Sequence, residues 1–329
     1  MSDEIDNSTG KDACMVVGTP AWHRKGIVVS EAQNGEDARK LALQDWLVEK
    51  WPVTATSPDG STTTRVANRF ALVRSDTHAA LGVRSGQYRV FQNQECYDFL
   101  DSIVGQNLAM YDTAGVLRGG RKVWMLAKIP KEYRIVKGDN VQPYVLLVNN
   151  HGTGSLHVFD TAVRVVCMNT MRAALRGRNG GITIPHWPNL DSRVEEARTA
   201  LGIVTQRLDQ FADVVRQMAK TSLTAAGCEQ FFANLFPTDK RLGEKKIEEH
   251  QMICGLLLSN LYNERNTLPG IGRSVWACLN AVTEWADYQR PVRGRNEENR
   301  LDNYLNSVWF GPSDRIKYKA FQAALALVG

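Results

Sequence analysis

The stretch TAVRVVCMNTMRAALRGRNGG, residues 161–181, brings a thiol and several arginines close together. The alternating run up to Val166 reads as a strand, Asn169 or Thr170 as the cap of a short helix, and Gly177 as the end of that helix. Two chemistries fit these residue types. Cys167, at a strand-to-helix junction, could be activated as a thiolate by the helix N-terminus, with His151 or His157 as its base. Alternatively, Arg172 and Arg176, at i and i+4, share one helix face and with Arg178 offer guanidinium forks to phosphate oxygens. No carboxylate is placed to orient a histidine, Val165 and Val166 read as core strand, and cysteine is among the most buried residue types. From 161 to 190 there are four arginines, Arg164 among them, and no carboxylate. The polyanion chemistry therefore uses more of the stretch than the thiol chemistry does.

Two further clusters point the same way. Arg118, Arg121 and Lys122 fall at a predicted hairpin tip, where long side chains can reach a groove. Arg65, Arg69, Arg74, Arg84 and Arg89 punctuate the preceding strands, and Tyr88 among them offers an aromatic face on which a base can stack. The charge distribution agrees: the 329-residue chain carries a formal net charge of +5, but residues 60–190 hold sixteen Lys/Arg against eight Asp/Glu. The basic character belongs to one region, as expected of a segment that meets a polyanion.

Other chemistries lack a signature. There is no P-loop, no G-x-G-x-x-G, no H-E-x-x-H and no G-x-S-x-G. The six cysteines (14, 96, 167, 228, 254 and 278) form no C-x-x-C pair and no zinc-type spacing. No cofactor or metal is expected. The first residues lack the basic and apolar regions of a secretory signal, and no apolar run is long enough for a membrane span, so a cytoplasmic protein is expected.

The elements that must position these residues follow from periodicity. Residues 36–51 carry Leu43, Trp46, Leu47 and Trp51 at helical spacing with Pro52 as a stop, predicting a helix. From 65 to 178 the pattern reads β-β-α-β-β-β-β-α, with hairpins at Arg118-Gly119-Gly120-Arg121 and at His151–Ser155. This predicts an α+β fold, an antiparallel sheet backed by helices, followed by a mostly α-helical C-terminal region. The expected divisions are a flexible tail at 1–19, a nucleic-acid-binding α+β core at 20–189 and a helical domain at 190–329. In the helical part, Val194, Ala197, Leu201, Val204, Leu208, Phe211, Val215 and Met218 keep a heptad register that needs a partner helix. The compact AWHRKG, with Trp22 and His23, suits either a cap on the core or a ligand contact.

Several of these segments resemble one family. AWHRKG, ALGVRSGQYRVFQNQECYDFLDSIVG, YDTAGVLRGGRKVWMLAKIP, YVLLVNNHGTGS, VRVVCMNT and GRSVWACLNAVTEWADY, with a late FG, resemble the phage/plasmid-like proteins containing the domain of unknown function 932. That resemblance implies a role in the DNA metabolism or defence evasion of a mobile element. The element order, with a strand leading into a basic A-L-R helix and a Gly turn, is also similar to the single-strand annealing core of the Rad-fifty-two type. That similarity implies oligomeric rings with single-stranded DNA in a groove between hairpin and helix, Arg172 and Arg176 matching the basic helix residues and Tyr88 the aromatic beside the first core strand.

The expectation that results is a non-enzymatic, ATP-independent protein that binds and anneals single-stranded DNA for recombination or repair and acts as a homo-oligomer. Its DNA-binding residues would be Arg172, Arg176, Arg178, Arg164, Arg118, Arg121, Lys122, Arg74, Arg84, Tyr88 and Arg89. A single-strand binding protein or an exonuclease would be a further partner. The alternatives are an anti-defence protein that binds a host protein through the heptad seam, and a thiol hydrolase that uses Cys167.

Overall fold

Period-two alternation sets the architecture. The computed structural model describes residues 5–18, 26–104, 110–152, 154–164, 169–170, 182–187, 189, 192, 195, 204–263, 271–292, 303, 307 and 311–329. The first part of the chain runs β1 (Cys14–Val17), β2 (Ile27–Val29), α1 (Gly35–Leu41), β3 (Val48–Thr56), β4 (Thr63–Arg74), β5 (Ala80–Ser85) and α2 (Asn93–Val104). Then come β6 (Met110–Leu117), β7 (Lys122–Lys128), β8 (Tyr133–Val136), β9 (Asp139–Asn150), β10 (Ser155–Arg164), β11 (Asn169–Thr170) and β12 (Ile182–Pro185). The helical part holds α3 (Val204–Lys220), α4 (Ala225–Leu235), α5 (Glu244–Leu261), α6 (Val275–Glu284), a π-helical turn (Trp285–Gln289) and α7 (Pro312–Leu325).

Nine strands form one sheet in the order β11-β10-β9-β7-β6-β1-β2, with β12 also on β10 and β8 on β9. Every pair is antiparallel except β1 with β2. A second sheet of three strands runs β3-β4-β5. On β7, Val123, Met125 and Ala127 join the core under α1 and α2, while Trp124 pairs on the opposite face with Ile5, Cys14, Leu117, Leu146 and Val148. Gly115 makes that second face possible, because a Cβ there would lie 2.1 Å from the Trp124 ring.

Two local expectations are corrected. The segment read as an N-terminal tail contributes a fully buried Ile5, and its Cys-Met-Val-Val run forms β1 at the side of β6. The helix expected over 36–51 ends at Leu41; Leu43 has φ +52°, and the chain then turns extended into β3. Pro52 lies inside that strand opposite Phe70, which is tolerated because β3 is the edge of its sheet and need not donate outward. The helical spacing of Trp46 and Trp51 arises from separate tertiary contacts. Trp46 is buried under Arg74, whereas Trp51 stays on the exposed strand.

The helical part packs onto the sheet through one continuous apolar core. Trp276 Nε1 donates to Asp139 Oδ2 at 2.8 Å, and the Tyr133 hydroxyl donates to Asp209 Oδ1 at 2.9 Å. Within it, Lys317 Nζ lies 2.6 Å from Asp287 Oδ1 in an ion pair buried on both sides, which fixes α7 to the π-helical turn. Phe211, Val215 and Met218 of the heptad register are buried in this core, and the Phe211 ring centroid is 6.2 Å from that of Phe321 on α7. Those three positions of the seam are filled within the chain, while Val194, Ala197 and Leu201 lie outside the described residues. Among the described residues, no helix is long and apolar enough to cross a membrane.

Candidate nucleic-acid interface

Four segments distant in sequence meet at one end of the large sheet. The turn Arg118–Arg121 between β6 and β7 lies beside the turn His151–Gly154 between β9 and β10, with Gly152 N donating to Arg121 O at 3.1 Å. The exit of β5 joins them: the Arg84 guanidinium donates to the Gly152 carbonyl. The exit of β12 closes the ring, as His186 N donates to Gly154 O at 2.9 Å and Arg89 N to His186 O at 3.1 Å. Gly119 and Gly120 take φ of +62° and +97°, the positive values that the first of these turns needs. Gly154 has φ +76°, and a Cβ there would stand 2.7 Å from the Tyr88 ring, so the position needs glycine for two reasons.

Three of these segments, the exits of β5 and β12 and the turn at Gly154, line an open cleft of about 430 Å³ formed by Arg84, Ser85, Gln87, Tyr88, Gly154, His186 and Trp187. Its volume falls in the range of roughly 300–1,000 Å³ usual for small-molecule sites. Tyr88 forms a buried wall, its hydroxyl 2.5 Å from His186 Nδ1, while the Arg84 guanidinium carbon lies 6.0 Å from the Tyr88 ring centroid. Trp187 is 67 % exposed at the rim. Burial holds the Tyr88 phenol protonated, and burial followed by the charge of Arg84 pushes His186 down to about 4, so both groups are neutral at pH 7. A neutral phenol and a neutral imidazole carry two polar protons and share one hydrogen bond. One proton is therefore left over, on Nε2 in one tautomer and on the phenol oxygen in the other. Nε2 itself has no partner.

The expected DNA-binding residues separate into groups. Arg84 and Tyr88 line the cleft, and Arg118, Arg121 and Lys122 occupy the adjoining turn, with Arg118 and Arg121 exposed. Among the described residues, Arg121 has no carboxylate partner. Arg89 is held by Glu95, its Nη2 being 2.7 Å from Oε1. Arg74 is a correction: it is 1 % exposed, paired with Asp6 Oδ2 at 2.5 Å and Asp76 Oδ2 at 2.6 Å, and stacked 4.3 Å from the Trp46 ring. It is a structural ion pair and has no surface to offer a ligand. Arg164 ends β10, whose other end is at the cleft, so the two are about 30 Å apart at strand rise. The structure does not gather Arg164 with Arg84 and Arg121. Arg172, Arg176 and Arg178 lie outside the described residues, as do Cys167, Trp22 and His23.

His151, one candidate base for Cys167, is fully buried, its Nε2 3.0 Å from Asn93 Oδ1, and burial pushes it down to about 3. His157 lies on β10 between Ser155 Oγ at 2.8 Å and Thr183 Oγ1 at 3.0 Å. Sequence reasoning passed over His186 and Trp187. The signal present was the tetrapeptide Pro185-His186-Trp187-Pro188, an aromatic pair between prolines in a turn.

The small sheet extends this surface. Lys50 Nζ donates to Gly86 O at 3.0 Å and Gly86 N to Asn68 Oδ1 at 2.9 Å, which fixes the β3–β4 hairpin beside the cleft. Arg65 and Arg69 are exposed along that hairpin and, among the described residues, have no carboxylate partner.

Fold and site thus define an α+β protein with a largely antiparallel sheet, helices packed on it, and a basic, aromatic-lined cleft at one sheet end. The family model for the Domain of unknown function (DUF932) matches residues 80–309, and the chain belongs to that family. No curated protein and no solved structure matches it.

Proposed function

We propose that the chain is a single-stranded DNA-binding and annealing protein of a mobile element, acting as a homo-oligomer without enzymatic chemistry. The observation that carries this reading is the convergence of Arg84, Arg121 and the exposed Trp187 on one sheet end. Cations that can reach phosphates flank an indole on which a base can stack, the combination that binds single strands without sequence preference. Arg118 and Lys122 add charge at the same turn, and Arg65 and Arg69 continue it along the hairpin.

The driving force would be release of counterions from the strand. Each phosphate contact contributes a slope of about −0.7 to the fall of log affinity with log salt. Annealing needs the bases to stay accessible while phosphates are neutralised, which contacts from arginines at a sheet end allow. A core of the Rad-fifty-two type, with Arg172 and Arg176 on its basic helix, is the finer form of this proposal.

Fluorescence anisotropy with an oligothymidylate from 50 to 300 mM salt tests it. Affinity should fall linearly on the log–log scale, and Arg84→Ala with Arg121→Ala should lower both affinity and slope. Unchanged binding and slope in that double variant would remove the sheet end from the reading.

A further inference from the structure

We infer that the cleft at Tyr88, His186 and Trp187 is a nucleobase slot, which takes one base of a bound single strand per chain. This rests on the single-strand reading above and deepens it: where that reading needs only a base resting on an exposed indole, the slot takes one base into a defined cleft and pairs its edge with a polar group.

Three observations carry the inference. The first is shape: about 430 Å³ is room for one base and its sugar, not for a duplex. The second is Trp187, whose indole is 67 % exposed at the rim of that cleft although tryptophan is a residue that folding ordinarily covers. A base stacked there covers apolar indole surface that the fold leaves open. The third is the spare polar proton of the Tyr88–His186 pair. Both side chains are buried, the pair is bonded only to itself among the described residues, and His186 Nε2 has no hydrogen-bond partner. A buried donor without an acceptor is unfavourable, and a carbonyl or ring nitrogen on a base edge supplies one.

Arg84 sets the polarity of the slot. Its guanidinium donates to the carbonyls of Val83 and Gly152, which hold it in place over the Tyr88 side of the cleft. A planar cation there adds attraction to an acceptor-bearing edge and to the phosphate of the same nucleotide. With one base held per chain, the remaining bases of the strand stay available for pairing.

The test uses the full chain, an oligothymidylate, and the same oligomer carrying one 4-thiothymidine. Long-wavelength irradiation should cross-link Trp187 or Tyr88, read by mass spectrometry of the peptides. Trp187→Ala should weaken binding roughly 5- to 150-fold, and Trp187→Phe should restore most of it, because stacking needs a ring and not an indole N–H. Trp187 is exposed, so the variants fold, and circular dichroism confirms that. If Trp187→Ala binds as wild type and cross-links fall elsewhere while Arg84→Ala/Arg121→Ala still weakens binding, the slot is wrong and the single-strand reading stands. If wild type does not bind at 50 mM salt, both fall.

Discussion

The hydroxyl of Tyr88 and Nδ1 of His186 lie 2.5 Å apart, and they come from positions 98 residues distant in the chain. The bond exists only in the folded protein, inside a site where both groups are neutral. Stability should follow from that. The pKa of His186 falls to about 4 and that of His151 to about 3, both below the usual 6.5. Above pH 6.5 neither group is protonated in either state. Between 6.5 and 4 the unfolded chain binds protons that the native chain refuses, so stability is present above that window and is lost as pH falls through it. Urea unfolding at pH 4.5 should give a free energy on the order of 5 kcal/mol below that at pH 7, about half from each histidine. The variant His186→Gln should show a shallower dependence, and an identical slope would contradict the assignment.

Arg74 should behave as a structural residue. Its removal by Arg74→Met leaves Asp6 buried without its cation, at a cost of about 3–5 kcal/mol. Ser8 Oγ still donates to Asp6 Oδ2 at 3.0 Å, which offsets little of a whole charge. Urea melts should show the loss, and Arg74→Met with Asp6→Asn should recover part of it. Affinity for single-stranded DNA, measured well below the melting temperature, should match wild type.

Gly154 should resist any side chain. Gly154→Ala meets both the positive φ and the Tyr88 ring, so it should cost about 1–3 kcal/mol and displace Tyr88 from His186. Thermal melts give the first effect, and a change in near-ultraviolet circular dichroism the second.

The thiols offer a test of the hydrolase alternative. Burial pushes the Cys14 thiol up to about 12 and the Cys96 thiol well up, while Cys278 is raised by burial and then by the neighbouring Cys228. Cys254 is only partly buried. Alkylation at pH 8 with peptide mass spectrometry should label Cys254 first and leave Cys14, Cys96, Cys228 and Cys278 protected until denaturant is added. The same experiment reads Cys167: rapid, stoichiometric labelling there would revive a nucleophile, and slow labelling would not.

What the sequence determined by itself is local. The short apolar, β-rich runs in KVWMLAKIP and PYVLLVNN marked two central strands, because strands buried on both faces read as continuous apolar segments. The glycines at 119 and 120 fixed the hairpin between β6 and β7, since few other residues take positive φ there. The excess of cations in residues 60–190 likewise needed no structure.

Tertiary structure decided which of those cations can meet a ligand. Arg74 and Arg84 look alike in sequence, each an arginine near the end of a predicted strand. What separates them is their surroundings: Arg74 faces Asp6, 68 residues away, while Arg84 reaches the carbonyl of Gly152 beside an open cleft. Trp187 and His186 joined Tyr88 only when β12 paired with β10 and brought residues 186–187 to the turn at Gly154. Pro52 entered a strand for the same kind of reason, since β3 is an edge and an edge strand has no outward hydrogen bond to lose. Periodicity and turn preference are properties of a few adjacent residues, but burial, pairing and exposure depend on which distant segment comes to lie opposite.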